Sequence, residues 1–127
     1  MLEQARTEAG FRIQYPCQLP AGERLASVAL TGQPGKRTVA LAFEGPFEIS
    51  LHQSQVAPAY GPDPTGASRV NVDLFPGVRG ILLERYDGSR KAQYDIFWDR
   101  DGLHYELLVV GPPLSRRQVL LFVTSLE

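Results

Sequence analysis

The sequence lacks the features that most often identify a function directly. Cys17 is its only cysteine, which excludes an internal disulfide and a multi-cysteine zinc site. Thirteen basic and fourteen acidic side chains give a net charge of −1, so no strong field attracts nucleic acid or an acidic membrane. No apolar run approaches the ~18 residues of a membrane span, and no apolar stretch follows the first charges as in a signal peptide. We therefore expect no nucleic-acid partner and no membrane insertion by this segment itself.

What is present has the composition of an ordinary globular domain. The chain has 127 residues, and one domain usually has about 100–200. Apolar residues make up 43% and charged residues 21%, which is typical of a chain that folds around a core. Its prolines and glycines fall in clusters that separate short elements. We predict a single domain over residues 1–127.

Alternating polar and apolar residues predict a sheet. The strand candidates are residues 11–15, 24–31, 38–43, 47–52, 69–75, 78–86, 92–98 and 103–110. Apolar residues at helical spacing predict a short helix over 2–10 and a longer one over 115–126, where Ser115 and Gln118 fit a capping box. The predicted fold class is α+β: a curved, mostly antiparallel sheet of six to eight strands, a short N-terminal helix, and the C-terminal helix packed on one face.

Two Asp-Gly pairs predict tight hairpins and therefore strand registers. A two-residue turn at Asp101-Gly102 places Trp98 opposite Tyr105 and Asp99 opposite His104. This register places Trp98 and Tyr105 on one face of the sheet, together with the apolar residues that alternate with them.

A two-residue turn at Asp87-Gly88 would place Ile81 opposite Tyr94 and Glu84 opposite Lys91. Both registers give the same core face, and we expect the core to include Val28, Leu41, Phe43, Ile49, Leu51, Ile81, Ile96, Trp98, Tyr105, Leu107, Phe122 and Val123. Leu83 would lie on this face as well.

The opposite face of the predicted sheet is less polar than a solvated face should be. Four apolar residues are expected on it and form our candidate binding surface: Leu82, Phe97, Leu108 and Val110. The N-terminal helix, a partner, or the Pro/Gly-rich loop over residues 53–68 could cover them. That loop is longer than most, so it is either a surface excursion or a functional segment.

The residues that most often carry chemistry form no recognisable catalytic motif. His52 and His104 fall on the polar side of alternating segments, and Asp99 is expected to pair with His104 at the surface. Cys17 lies between two prolines and is expected to be a structural residue. An enzyme would need a histidine in a cleft with a carboxylate or Cys17 in reach. We expect a non-enzymatic protein with no cofactor and no metal.

Several segments together resemble a known bacterial family. They are Ala9-Gly10-Phe11 through Pro16, Leu19-Pro20, Gly22, Leu25 and Val28; Phe43 with residues 49–54; Val72, Gly77 and Gly80; the Trp98, Gly102 and Tyr105 hairpin; and residues 114–126. The family is a domain of unknown function, found as the outer, C-terminal part of anti-sigma-factor-like, membrane-anchored proteins. The chain is also broadly similar to periplasmic lipoprotein carriers, in which a curved sheet holds a lipid against a helix.

The resemblance implies an extracytoplasmic sensing or protein-interaction domain, with an unknown protein as its partner. If the chain is free-standing, a cytoplasmic location is expected instead. The alternative function is a carrier of a lipid or another apolar small molecule between helix and sheet. That alternative predicts an apolar cavity at Trp98, Tyr105 and Phe122.

Overall fold

A computed structural model describes residues 2–57, 65–86, 92–112 and 114–127. It has the predicted α+β class: one open antiparallel sheet of seven strands, with a helix at each end of the chain. The elements are α1 (Leu2–Glu8), β1 (Arg24–Thr31), β2 (Thr38–Glu44), β3 (Glu48–Ser54), β4 (Ser68–Phe75), β5 (Val78–Tyr86), β6 (Ala92–Arg100), β7 (Leu103–Gly111) and α2 (Arg116–Thr124).

The strands form two meanders that meet in the middle of the sheet. Their order is β1-β2-β3-β7-β6-β5-β4, so β3 pairs with β7 and β4 lies at the far edge. With strands about 4.8 Å apart, the connection from β3 to β4 has to cover about 19 Å. This distance excludes a tight turn, because an extended chain needs about six residues to cover it.

Helix α2 covers one face of the sheet, which we call the core face. Its buried residues Val119, Phe122 and Val123 form the predicted apolar stripe. The predicted capping box is present: the Gln118 backbone N–H donates to the Ser115 hydroxyl, and the Ser115 N–H donates to the Gln118 side chain at 2.8 Å. These two bonds satisfy backbone donors that the first turn of a helix otherwise leaves free.

Polar contacts fix the start of α2 to the sheet. Glu84 is buried and its carboxylate accepts hydrogen bonds from the Arg116 guanidinium (Nε to Oε1, 2.8 Å) and the Tyr86 hydroxyl (3.1 Å). The Tyr94 hydroxyl donates to the Leu114 carbonyl just before the helix. A buried carboxylate needs such partners because it has lost its water.

Residues 11–15 are not a strand of the sheet, so this prediction is wrong. Both backbone polar groups of Gln14 bond to the side chain of the fully buried Gln53, at 2.7 and 2.8 Å. Tyr15 exchanges two backbone bonds with Glu127. The segment alternates because it is extended and half-buried, but a side chain and the chain's last residues provide its partners.

The predicted register of the β6–β7 hairpin is confirmed. Trp98 lies opposite Tyr105, and Asp99 lies opposite His104. Asp101 and Gly102 have φ angles of +52° and +77°, the left-handed conformation that a two-residue turn of this kind requires.

The predicted register of the β5–β6 hairpin is wrong. Ile81 lies opposite Phe97 and Glu84 opposite Tyr94, so the strands are shifted by three residues from the expected pairing. Residues 87–91 separate the two strands, and the predicted Asp87-Gly88 turn and Lys91 lie outside the described residues. A shift by an odd number moves every side chain of a strand to the other face.

The shift corrects three assignments on β5. Leu82 is fully buried in the core and does not lie on the opposite face with Phe97. Ile81, which was expected in the core, and Leu83, which was expected on the core face, lie on the opposite face, where Leu83 is nevertheless buried. Ten other predicted core residues are buried as expected: Leu41, Phe43, Ile49, Leu51, Ile96, Trp98, Tyr105, Leu107, Phe122 and Val123. Val28 is only partly buried.

Candidate functional site

The face turned away from α2, which we call the outer face, contains a groove of about 580 Å³. We call it the outer groove. It is lined by Ala57, Arg69, Asn71, Arg79, Gly80, Ile81, Phe97, Trp98, Asp99, His104 and Tyr105. It therefore combines residues from β4, β5, β6 and β7 with one residue of the loop that follows β3.

The floor of the outer groove is apolar. Asn71, Ile81 and Phe97 form one row across three neighbouring strands. Ile81 and Phe97 are half-buried, so each still presents apolar surface to water. A cross-strand aromatic–aliphatic pair of this kind contributes about 0.2–1 kcal/mol to the sheet and also offers a flat surface for a ligand.

Two guanidinium groups lie at the rim. Arg69 is exposed and has no ion pair within the part of the chain that the structure describes. Arg79 pairs with Asp73 (Nε to Oδ1, 3.3 Å), but both side chains are 84% exposed. Such exposed pairs contribute little and exchange partners readily. Both arginines are therefore available to a carboxylate from outside.

The carboxylate of the outer groove already has a partner. His104 Nδ1 lies 2.7 Å from Asp99 Oδ1, which matches the pair expected from the hairpin. The lining therefore has two cationic side chains and one carboxylate that a histidine engages. Asp73 pairs with Arg79 from outside the lining, so Arg69 is the cation without an ion pair in the described residues.

The register also places Ser54 directly opposite His104, which raises the question of a Ser-His-Asp arrangement. The Ser54 hydroxyl instead shares a hydrogen bond with Thr38 Oγ1 (2.8 Å) and accepts one from the Val56 N–H (3.0 Å). It makes no bond to His104 within the described ranges. A nucleophile needs its base in hydrogen-bond reach, so this geometry favours a structural pair.

Cys17 is exposed, whereas we expected it to pack as a small apolar residue. A hydrogen bond to Glu127 raises the pKa of the Cys17 thiol, and desolvation adds to this. Less of the thiol is therefore ionised at neutral pH, which is unfavourable for a nucleophile.

Both described ends of the Pro/Gly-rich loop lie at the outer face. Ala57 lines the outer groove, and the Thr65 carbonyl accepts bonds from the Arg85 guanidinium at 3.3 and 3.4 Å. Arg85 also pairs with Asp95 at 3.0 Å, and the neighbouring Leu83 is buried. Residues 58–64 of the loop lie outside the described residues.

The outer face carries three of the four residues of the candidate binding surface. Phe97, Leu108 and Val110 are half-buried there, and only Phe97 lines the outer groove. Leu108 and Val110 lie farther along β7, opposite Ser50 and Glu48 of β3. Between the two regions, burial raises the pKa of Glu106, while His52 at 3.8 Å lowers it.

The candidate apolar cavity on the core face is occupied by its own side chains. Trp98 and Tyr105 stack with ring centroids 5.1 Å apart, and the two rings are parallel to within 1°. They are 4% and 5% exposed, and Phe122 is 8% exposed. These three rings therefore pack as core.

Sequence reasoning missed Arg69, Arg79 and Ile81 as parts of a site. Ile81 lies in the run Ile81-Leu82-Leu83, where three consecutive apolar residues do not show which of them face the core. Its assignment therefore depended on the predicted register, which is wrong. The two arginines join Phe97 only because β4, β5 and β6 are neighbours in the sheet. The sequence does contain one indication of Arg69: it is one of the polar residues that alternate with apolar ones over 69–73, which predicts a polar face on that strand.

Comparisons with known proteins identified no relative of this chain. A scan against protein-family models, a search of curated proteins and a search of solved structures each found no match to this chain. Within the described residues, no helix has the length and apolarity to cross a membrane. Within the same residues, no three His, Cys, Asp or Glu side chains gather as a metal site would require.

Proposed function

We propose that this domain is a non-catalytic binding module and that the outer groove binds a segment of a protein partner. The observation that carries the proposal is the combination of an apolar floor at Ile81 and Phe97 with two available guanidiniums at the rim. Grooves that combine apolar surface with a few placed polar groups are typical of binding sites.

The charges of the outer groove define the chemistry of the partner. Arg69 has no ion pair in the described residues, the Asp73 partner of Arg79 is exposed, and the one lining carboxylate, Asp99, already contacts His104. The complementary ligand is an extended segment in which an acidic side chain lies next to an aliphatic or aromatic one. Arginine favours carboxylates because its planar fork can donate two parallel hydrogen bonds.

An extracytoplasmic sensing role is part of the same proposal and rests on the family resemblance. The alternative is a carrier of a lipid or another apolar molecule. It has less support, because Trp98, Tyr105 and Phe122 already pack against one another or the core where such a ligand would lie.

Selection of peptides from a random displayed library on the immobilised domain tests the proposal. We expect the selected peptides to be enriched in sequences with an acidic residue beside an apolar one. Phe97→Thr, which keeps a strand-forming residue, should weaken binding of a selected synthetic peptide by about tenfold or more, as for a central aromatic anchor. Arg69→Gln should weaken it by about threefold and reduce its salt dependence.

Leu121→Ser is the matched control, because Leu121 is an exposed apolar residue (59%) on α2, away from the outer groove. It should leave the affinity within about twofold. If the selected peptides bind Phe97→Thr and wild type equally well, the outer groove is not the interaction site.

A further inference from the structure

A second depression lies at the end of the core face, and its chemistry differs from that of the outer groove. It has a volume of about 730 Å³ and lies beside the β6–β7 turn, where the N-terminal segment and the end of the chain meet. We call it the end cleft. Its lining comprises Phe11, Arg12, Gln14, Gln55, Arg100, Asp101, Gly102, Leu103, Tyr105, Leu126 and Glu127.

The end cleft contains a tyrosine hydroxyl that has no partner within the described part of the chain. Tyr105 is 95% buried, being 5% exposed, and its ring stacks on Trp98. Its hydroxyl makes no hydrogen bond to any residue in the described part of the chain. The hydroxyl oxygen itself is not among the buried atoms that lack a partner, so it is open to the cleft. A ligand that enters the cleft can therefore accept a hydrogen bond from it.

The hydroxyl is a donor at neutral pH. Burial raises the pKa of Tyr105, and Asp101 also raises it, while Arg100 lowers it. The protonated phenol therefore complements an acceptor such as a carboxylate oxygen.

Two guanidiniums surround the same space. Arg12 is exposed and has no ion pair within the described ranges. Arg100 is held in place by the ring of Phe75, whose centroid lies 4.1 Å from its Cζ. Its contact with Asp101 is long, at 3.9 Å from Nε to Oδ2, so its hydrogen-bond donors remain free for a closer acceptor.

The acidic residues of the end cleft limit what can bind. Asp101 and Glu127 also line it, so the lining carries two carboxylates against the two guanidiniums. A ligand with several negative charges would be repelled, whereas a single carboxylate is neutralised locally. One wall of the end cleft is apolar and can contact the uncharged part of a ligand; it consists of Phe11, Leu103 and Leu126.

We propose that the end cleft binds a small organic monocarboxylate with an apolar body. Its carboxylate accepts hydrogen bonds from the Tyr105 hydroxyl and from Arg12 and Arg100, and its apolar part packs on the wall. Tyr105 is the one lining residue that this site shares with the outer groove, and the proposal does not depend on the function assigned to that groove.

A matched pair of probes tests the charge requirement: 3-phenylpropanoate and its neutral amide, 3-phenylpropanamide. Titration of the ¹⁵N-labelled protein at pH 7 should give saturable shifts at residues of the end cleft, with a Kd of about 1 mM or tighter for the carboxylate. The amide should bind at least about tenfold more weakly, because charge-assisted bonds are the stronger ones. Trp98 is the only tryptophan and stacks on Tyr105, so its fluorescence is an independent readout.

Variants then separate a binding role from a structural one. Tyr105→Phe removes only the hydroxyl and should weaken the carboxylate probe by about tenfold, as expected for a bond to a charged acceptor. Arg12→Gln should weaken it several-fold. Arg117→Gln on α2, which lines neither depression, is the control and should change the Kd by less than about twofold.

The proposal is overturned by any of three results. The first is an absence of saturable shifts up to about 20 mM probe, well above the Kd expected for a ligand of this size. The second is equal binding of the amide. The third is an unchanged Kd in Tyr105→Phe, which would show that the hydroxyl has no ligand-binding role.

Discussion

Replacing Arg116 by alanine would leave the buried Glu84 carboxylate with a single donor. Glu84 is 6% exposed, and after the change it would keep only the Tyr86 hydroxyl at 3.1 Å. Breaking a fully buried ion pair costs about 3–5 kcal/mol, whereas an exposed pair contributes about 0–1 kcal/mol. The Arg116 side chain is 48% exposed, so the cost lies between these limits.

One opposing effect lowers that cost. Arg116 is the first residue of α2, where a positive charge opposes the helix dipole by about 0.3–1 kcal/mol. We therefore expect Arg116→Ala to reduce the free energy of unfolding by about 2 kcal/mol. With a urea slope of about 1–3 kcal/mol per molar, the unfolding midpoint should fall by about 1 M.

Urea unfolding followed by Trp98 fluorescence measures this loss, because Trp98 is buried and is the only tryptophan. Arg117→Ala is the matched control: Arg117 is the exposed neighbour and has no ion pair within the described residues. It should change stability by less than about 0.5 kcal/mol. Adding Glu84→Gln to Arg116→Ala should recover part of the loss, because it removes the unpaired charge. Equal stability of Arg116→Ala and Arg117→Ala would refute the reasoning.

Three further predictions follow from buried polar groups. Gln53→Leu should lower the free energy of unfolding by about 2–4 kcal/mol, because both backbone groups of Gln14 lose their partners, and amide exchange at Gln14 should accelerate. Tyr94→Phe should cost about 1–2 kcal/mol at neutral pH by leaving the Leu114 carbonyl unbonded, as urea unfolding would measure. Burial raises the pKa of Tyr94 above its ordinary value of 10, so wild-type stability should fall as the pH rises past 10, and this fall should be smaller in Tyr94→Phe. Burial likewise holds the pKa of Glu106 above 4.5, so Glu106→Gln should be stabilising at pH 7, with the gain disappearing as the pH falls below 4.5 in a series of urea titrations.

The helices and all seven strands could be predicted from alternation and turn residues. The β6–β7 register was predictable as well, because Asp101-Gly102 forms a turn whose conformation fixes the pairing on both sides. The same dipeptide at Asp87-Gly88 led to a wrong register for β5 and β6. Five residues separate these two strands, so the dipeptide does not fix their pairing.

The error on β5 had a physical cause that alternation does not reveal. Ile81-Leu82-Leu83 is apolar on both faces of the strand, so hydrophobicity does not select a register there. Glu84 faces the core in the observed register. A register that buries a carboxylate is rejected in sequence analysis unless a partner for the carboxylate is known. That partner, Arg116, is 32 residues away in the chain.

The outer groove depends on the same register. Only the observed shift brings Ile81 beside Phe97, and only the strand order brings Arg69 of β4 to the same face. The sequence alone therefore predicted Phe97 as a surface residue but not the groove around it.

The most direct test of the binding-module account is a map of intermolecular nuclear Overhauser effects between a selected peptide and the labelled domain. The account predicts contacts from the peptide's apolar side chain to the Ile81 methyl groups and the Phe97 ring, on the outer face. Contacts to Phe122 and Val123 instead would place the ligand under α2, contradict the account and favour the carrier alternative.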